Sequence, residues 1–306
     1  MTSRREFLAL AGAVAGSVSV LSTTPAAAAT SREPWFHISL AEWSFNRALF
    51  GGKMTNLDFP VVARRDFGIE VVEYVNQFWM DKAEDKTYLA ELKKRCDDSG
   101  VKSGLIMCDR EGALGDADAA ARTKAVENHY KWVTAAAYLG CHSIRVNAQS
   151  SGSFGAQADC AIDGLRRLAQ FGAQHGLNVI VENHGGLSSN GKWLTAVIDQ
   201  VGLPNCGTLP DFGNFTVAKD KPYDRYTGVR EMMPFARGVS AKSYAFDAAG
   251  NETTIDYLRM MSIVKDAGYR GYVGIEFEGR GMEEADGVRA TKKLLERVRD
   301  QLGKDI

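Results

Sequence analysis

The chain has 306 residues, 45% of them hydrophobic, with 37 basic against 38 acidic side chains and a formal charge of −1. Such a balance, with no long run of either sign, offers neither the basic face that nucleic acid demands nor the polybasic patch that an anionic membrane recruits. The five cysteines, Cys96, Cys108, Cys141, Cys160 and Cys206, include no Cys-x-x-Cys pair, which argues against zinc ribbons and redox motifs and reads as buried small residues.

Residues 1–29 read as an address. The pair Arg4-Arg5 in Ser3-Arg-Arg-Glu-Phe-Leu8 precedes an apolar run from Leu8 to Leu21 and the small-residue tract Pro25 to Ala29, the build of a cleavable twin-arginine signal. The apolar run is shorter than the roughly 18 residues that span a bilayer and is broken by glycine and serine. The expectation is export through the twin-arginine machinery to the periplasm or beyond, with no membrane attachment after cleavage. Residues 30–306, with a net charge of −2, then form the mature protein. Folded export suits a metal loaded beforehand.

The rest repeats one unit: a short apolar strand, a polar loop, then a helix-period segment. The pattern predicts strands at Trp35–Leu40, Gly68–Glu73, Lys102–Met107, Ser143–Asn147, Asn178–Glu182, Thr208–Asp211, Gly238–Lys242 and Tyr272–Glu276. Between them, helices are expected over Lys86–Asp98, Ala117–Leu139 and Ala161–His175, each followed closely by a stopping glycine: Gly100, Gly140 and Gly176. Eight βα units of this length predict a single-domain (β/α)8 TIM barrel. No Gly-x-Gly-x-x-Gly or Walker lysine follows the first strand, which disfavours an open nucleotide-binding sheet. Residues 217–230 read as a lid-like loop.

Barrels carry their sites at the C-terminal ends of the strands. The rim read off in turn holds Trp43, Glu73, Asp109, Arg145 with Asn147, Glu182 with His184, Asp211 with Asn214, Ser240 with Lys242, and Glu276 with Glu278. Trp43, Phe45, Phe212 and Tyr244 add flat aromatic surface, which suits the C–H faces of a sugar ring. Strand alternation puts Glu182 and His184 on one side and Asn183 on the other. Glu182, Asp211 and Glu276 could not all be ionised in contact without a cation, and hard oxygen ligands favour Mg²⁺ or Mn²⁺ over zinc. The competing reading makes each carboxylate a loop residue paired with Lys242 or Arg145, and His184 a cap on the Gly185-Gly186 turn.

The set resembles the sugar phosphate isomerase/epimerase-like, or xylose isomerase-like, TIM barrels, over the whole mature chain. Members carry Glu, Asp, His and Glu at the ends of strands five to eight around one divalent ion. Glu182 in Val181-Glu-Asn-His-Gly185, Asp211 in Pro210-Asp-Phe-Gly-Asn214 and Glu276 in Gly274-Ile-Glu-Phe-Glu-Gly279 match three of these positions. Ser240, in Ser240-Ala-Lys242, stands in the place of the strand-seven histidine, and Asn214 where relatives often have another. The resemblance implies one divalent metal on Glu182, Asp211, Glu276 and Ser240, and Glu182 with Glu276 as the proton-transfer pair. The substrate expected is a small carbohydrate, contacted by Trp43, Glu73, Arg145, Asn147, His184 and Asn214.

The leading expectation is a metal-dependent keto-sugar or polyol isomerase or epimerase working through an enediolate. Lys242 is either the electrophile at a developing oxyanion or the neutralising partner of Glu276. A lyase acting on an oxidised glycoside would use the same residues, and a non-catalytic sugar- or metal-binding barrel of the cell envelope is the remaining rival. An endonuclease-type hydrolase would need more histidines and a basic groove. Oligomeric state is left open.

Overall fold

Along the chain, strands of four to six residues alternate with helices, from β1 (His37–Ala41) to α9 (Glu284–Leu302). The computed structural model describes residues 33–305, so the twin-arginine segment lies outside the described residues. After β1 come β2 (Val71–Val75), β3 (Lys102–Met107), β4 (Ser143–Val146), β5 (Asn178–Glu182), β6 (Cys206–Leu209), β7 (Val239–Ser243) and β8 (Tyr272–Phe277). All pair in parallel, in the spatial order β6-β5-β4-β3-β2-β1-β8-β7. The seam between β6 and β7 is joined by parallel bridges from Thr208 to Ala236 and from Asp211 to Ser240, so the sheet closes into the expected eight-stranded TIM barrel.

A short α1 (Asn46–Phe50) and α2 (Phe59–Phe67) follow β1. One helix then follows each strand in turn: α3 (Lys86–Ser99), α4 (Ala119–Leu139), α5 (Phe154–Gln174), α6 (Gly191–Val201), α7 (Arg225–Met232), α8 (Tyr257–Asp266) and α9. Their starts are set by side chains that accept from free N–H groups of the first turn: Asp85 for α3, Asp118 for α4 and Asn190 for α6. Their stops follow the glycines. Gly100 and Gly140 sit in the left-handed region, at φ of 66° and 80°, where any other residue would be strained. Among the described residues no helix is long and apolar enough to cross a membrane.

Three expectations need correction. Helix α5 begins at Phe154 rather than Ala161, because Ser153 accepts from the Ala156 N–H and starts the helix a full two turns earlier. The stretch read as a lid-like loop is a two-stranded hairpin, Thr216–Ala218 with Lys221–Pro222, running directly into α7. Strand β2 starts at Val71, three residues later than expected, which leaves Glu73 in mid-strand instead of at its end.

Strand alternation divides the core into two layers. Outward residues such as Val72, Tyr74, Val179, Val181, Val273 and Ile275 pack against the helices, together with fully buried Trp132 and Trp193. Each fully buried aliphatic side chain there contributes about 1.5–3 kcal/mol. Inward, a smaller cluster of Ala41, Val75, Leu105, Met107, Ile180 and Leu209 fills part of the barrel interior. On β7 and β8 the inward positions are Ser240, Lys242, Gly274 and Glu276, so that side of the interior is polar. Cys96, Cys108, Cys141 and Cys206 are buried, Cys160 is half-buried, and none of them forms a disulfide.

Candidate active site

Three inward carboxylates converge at the C-terminal mouth. Glu182 ends β5, Asp211 lies two residues beyond β6, and Glu276 sits on β8; all are buried, with one oxygen of each within 4.8 Å of the others. Asn183, pointing to the opposite side as alternation requires, clamps the Asp211 backbone: its carbonyl oxygen accepts from the Asp211 N–H at 2.7 Å and its amide donates to the Asp211 carbonyl at 3.0 Å. Asp211 Oδ1 then accepts from the N–H groups of Gly213 (2.7 Å) and Asn214 (2.8 Å). On β7, Lys242 Nζ donates to Glu276 Oε1 at 2.6 Å and lies 3.5 Å from Asp211 Oδ2.

Ser240 stands between two of the carboxylates. Its hydroxyl is 2.8 Å from Asp211 Oδ2 and 2.6 Å from Glu276 Oε2. One hydroxyl has one proton to donate, so the second short contact requires a protonated carboxyl or a cation that takes the carboxylate over. Burial pushes Asp211 up to about 7, with the Lys242 ammonium only partly offsetting it, which makes Asp211 the natural holder of that proton. Glu276 is the reverse case. Burial opposes its ionisation, but the Lys242 ammonium and the Ser240 hydroxyl outweigh it and hold the carboxyl below its usual range. Lys242 is raised well above the ordinary lysine value, because four surrounding carboxylates overcome its burial.

The donor set fits a divalent cation. Glu182, Asp211 and Glu276 supply hard oxygen atoms, and Glu182 Oε2 is a buried acceptor without a hydrogen-bond donor among the described residues. That oxygen lies 2.8 Å from Arg145 Nε, but the N–H is not aimed at it, so the contact is an ion pair only. Around it, Glu73, Asp109 and Glu278 add carboxylates, against the two cations Arg145 and Lys242. A doubly charged ion reduces that surplus of negative charge.

A cavity of about 400 Å³ reaches the cluster at Glu276, walled by Trp43, Gln77, Asp109, Arg145, Asn147, His184, Glu276 and Glu278 among others. Of the expected substrate contacts, Trp43, Arg145, Asn147 and His184 therefore face it. Arg145 is more committed than the sequence suggests: its guanidinium donates to Asp109 at 2.7 Å as well as pairing with Glu182. Asn214 instead donates to Glu182 Oε1 at 3.0 Å, from outside the cavity wall. Glu73 corrects the expectation of a rim contact. It lies within the barrel, 4% exposed, accepting from Ser39 at 2.5 Å, and burial pushes it up to about 7. Gly274 makes room for it, since a Cβ there would meet the Glu73 carboxylate at 2.6 Å.

The aromatic rim is also revised. Phe45 packs on Phe59 and Phe67, and Phe212 meets Tyr257 edge-on, both within the core. The rings beside Trp43 are Phe50 and Phe78. Two rim residues given no role in the sequence reading do line the cavity. Asp109 receives Arg145, Asn147 and Gln77, and is held well below the carboxylate range because these partners outweigh its burial. Glu278 accepts from Trp43 Nε1 at 2.6 Å and Lys242 Nζ at 3.1 Å. The signal was the period of two: Asp109 follows inward Met107, and Glu278 follows inward Glu276.

Solved structures share this architecture. An L-ribulose 3-epimerase superposes with a TM-score of 0.70 at 15% identity, over 88% of this chain and 96% of its own. A xylose isomerase-like TIM barrel protein from Mycobacterium smegmatis in complex with magnesium gives 0.66 at 17%, over 86% and 96%. The 3-keto-D-glucoside 4-epimerase from E. coli gives 0.63 at 16%, over 87% and 100%. At such identities the likeness speaks for the fold alone. No curated protein matches the chain. The family model described as a xylose isomerase-like TIM barrel matches residues 62–300, and with that span the chain belongs to the xylose isomerase-like TIM barrel family.

Proposed function

We propose that this protein is a divalent-metal-dependent isomerase or epimerase of a keto-sugar or polyol. The observation that carries the reading is the buried trio Glu182, Asp211 and Glu276 packed against Lys242, with Glu276 facing a polar cavity. It is supported by the epimerases among proteins of this fold and by the magnesium in the mycobacterial one. Glu182, Asp211 and Glu276 would hold the cation, with the Ser240 hydroxyl beside Asp211 and Glu276. A bound Mn²⁺ or Mg²⁺ would supply Lewis-acid polarisation of the substrate carbonyl, acidifying the neighbouring C–H.

The chain's own groups do the rest. Glu182 and Glu276 are the proton-transfer pair; general acid–base action requires each oxygen within hydrogen-bond reach of the carbon-bound hydrogen. Lys242 keeps Glu276 ionised and stands ready as a donor to negative charge developing on the substrate oxygen. Asp109 fixes Arg145, which in turn holds one side of Glu182 in place. Trp43 offers a flat wall to the sugar's C–H face, and Asn147 and His184 offer polar contacts to its hydroxyls.

The decisive experiment is elemental analysis of the protein purified without chelator, beside Asp211→Ala, followed by solvent-deuterium exchange into bound keto-sugars. About one Mn, Mg or Zn per chain, lost in the variant, with exchange abolished by Glu182→Gln, is the expected result. A wild-type protein that refuses added Mn²⁺ would overturn the metal-dependent reading and favour a sugar-binding barrel. The Arg4-Arg5 pair supports a second proposal, export in folded form to the periplasm. Lysine at both positions should trap the full-length protein in the cytoplasm; unchanged export would refute it.

A further inference from the structure

The cavity that reaches Glu276 adjoins a second one. The inner space of about 400 Å³ and an outer space of about 810 Å³ share two walls, Trp43 and Glu278. Sites for one small ligand span roughly 300–1,000 Å³, so the inner space alone accommodates a sugar ring and the outer one is additional. The outer wall is a built structure. Arg47 donates to the carbonyls of Gly279 (2.8 Å) and Met282 (3.0 Å), pinning the loop beyond β8. Arg280, exposed on that same loop, has neither an ion pair nor a hydrogen-bond partner for its guanidinium among the described residues.

The shared walls are equally specific. Glu278 Oε1 accepts from both Trp43 Nε1 and Lys242 Nζ, which leaves Oε2 without a donor among the described residues. The Trp43 ring is backed by Phe78, stacked at 5.9 Å, and by Phe50, edge-on at 5.9 Å and itself 58% exposed. An aromatic plate, a free carboxylate oxygen and an unpaired guanidinium thus line one path leading out of the reacting site.

We propose that the outer cavity is a second-ring subsite, so that the substrate is a glycosidically extended sugar and not a free monosaccharide. The reacting keto ring occupies the inner space and a second hydroxylated ring the outer one. Trp43 offers its face at the junction, Glu278 Oε2 accepts from a hydroxyl near the linkage, and Arg280 donates to hydroxyl or carboxylate oxygens of the second ring. The inference rests on the carbohydrate reading above.

Binding, measured by calorimetry with Mn²⁺ present, tests it with D-fructose as the one-ring probe and lactulose and 3-ketolactose as two-ring probes. Gly281 lines the outer cavity and a Cβ there meets no atom within 4 Å, so Gly281→Trp starts its side chain in open space and puts an indole into that cavity. Arg280→Ala removes the unpaired cation and tests the same subsite without adding bulk. At least one two-ring probe should bind tenfold or more tighter than fructose. Gly281→Trp should erase that margin and Arg280→Ala reduce it, each leaving fructose affinity within twofold. Two-ring probes that bind no tighter than fructose, or a Gly281→Trp variant that weakens fructose equally, overturn the proposal. The isomerase reading fails separately, if sugars bind with the expected preference yet exchange no carbon-bound hydrogen with deuterated water. Failure of all three sugars to bind removes both.

Discussion

Glu42 and Glu276 are buried glutamates near each other in the barrel order, one in the turn just past β1 and the other on the neighbouring β8, and their charge states are opposite. Glu42 is fully buried and, among the described residues, meets only neutral donors, the Val75 N–H at 2.8 Å and the Asn56 amide at 3.0 Å. Burial pushes it up to about 8, so at neutral pH it is largely a neutral strut tying β1 to β2. Glu276 is as well hidden, but an ammonium stands 2.6 Å away and keeps it ionised. Burial alone selects the uncharged acid; one contacting cation reverses the choice. A carboxylate that can take protons or hold metal therefore needed Lys242 as much as it needed its own strand.

Removing the difference has the largest expected effect. Lys242→Met leaves Glu276 and Asp211 together in a buried site with no ammonium. Metal-free stability in urea should fall by roughly 3–5 kcal/mol, the scale of breaking a buried pair, and recover in large part with Mn²⁺. A variant as stable as the parent would show that the lysine does not set the charge of Glu276. Glu276→Gln should lower turnover about 10²–10⁴-fold, the usual weight of a general acid–base. Stability should change little, because Lys242 still has Glu278 at 3.1 Å and Asp211 at 3.5 Å. The rim position read from the sequence is in fact a buried one. A large drop in Tm of the metal-free variant would mean that those two carboxylates cannot replace it.

The pH dependence sharpens the contrast. Asp211, Glu73 and Glu42 are raised to about 7, 7 and 8 from ordinary values of 3.8, 4.5 and 4.5. An acid raised in the folded state contributes stability that is full below its unfolded value and lost as pH rises through the folded one. The Tm of chelator-treated protein should thus fall between about pH 5 and 8, and fall less steeply with saturating Mn²⁺, which favours ionised Asp211. A Tm that climbs over that interval would contradict the assignment. The smallest effect is expected at the strut: Glu42→Gln, a neutral near-isostere, should cost about 1 kcal/mol or less and remove part of the pH slope. A loss as large as that of Lys242→Met would show that Glu42 is charged in the folded protein.

Much of this architecture is legible without coordinates. Apolar runs separated by capped, glycine-stopped helices identify all eight barrel strands, with β3 and β5 placed to the residue. Their place at the C-terminal ends of the predicted strands also singles out Glu182, Asp211 and Glu276. Less legible were features that depend on a partner distant in sequence. The inward stagger of β2 comes from pairing with β3 through a register shift at Val72 and Glu73, and it is what sinks Glu73 beneath the rim. Phe45 and Phe212 look like rim aromatics in the sequence, yet their rings turn toward Phe67 and Tyr257.

By itself the sequence determined which residues could face the mouth, because backbone periodicity and helix punctuation are local properties. Only the tertiary structure decided their chemistry. Whether a carboxyl is ionised depends on a cation brought in from another strand, as Lys242 is to Glu276 and Arg145 to Asp109. Whether the site ends at one ring or continues depends on where the loop beyond β8 folds against Trp43, whose indole N–H lies 235 residues from Glu278 in the chain and only 2.6 Å from it in space.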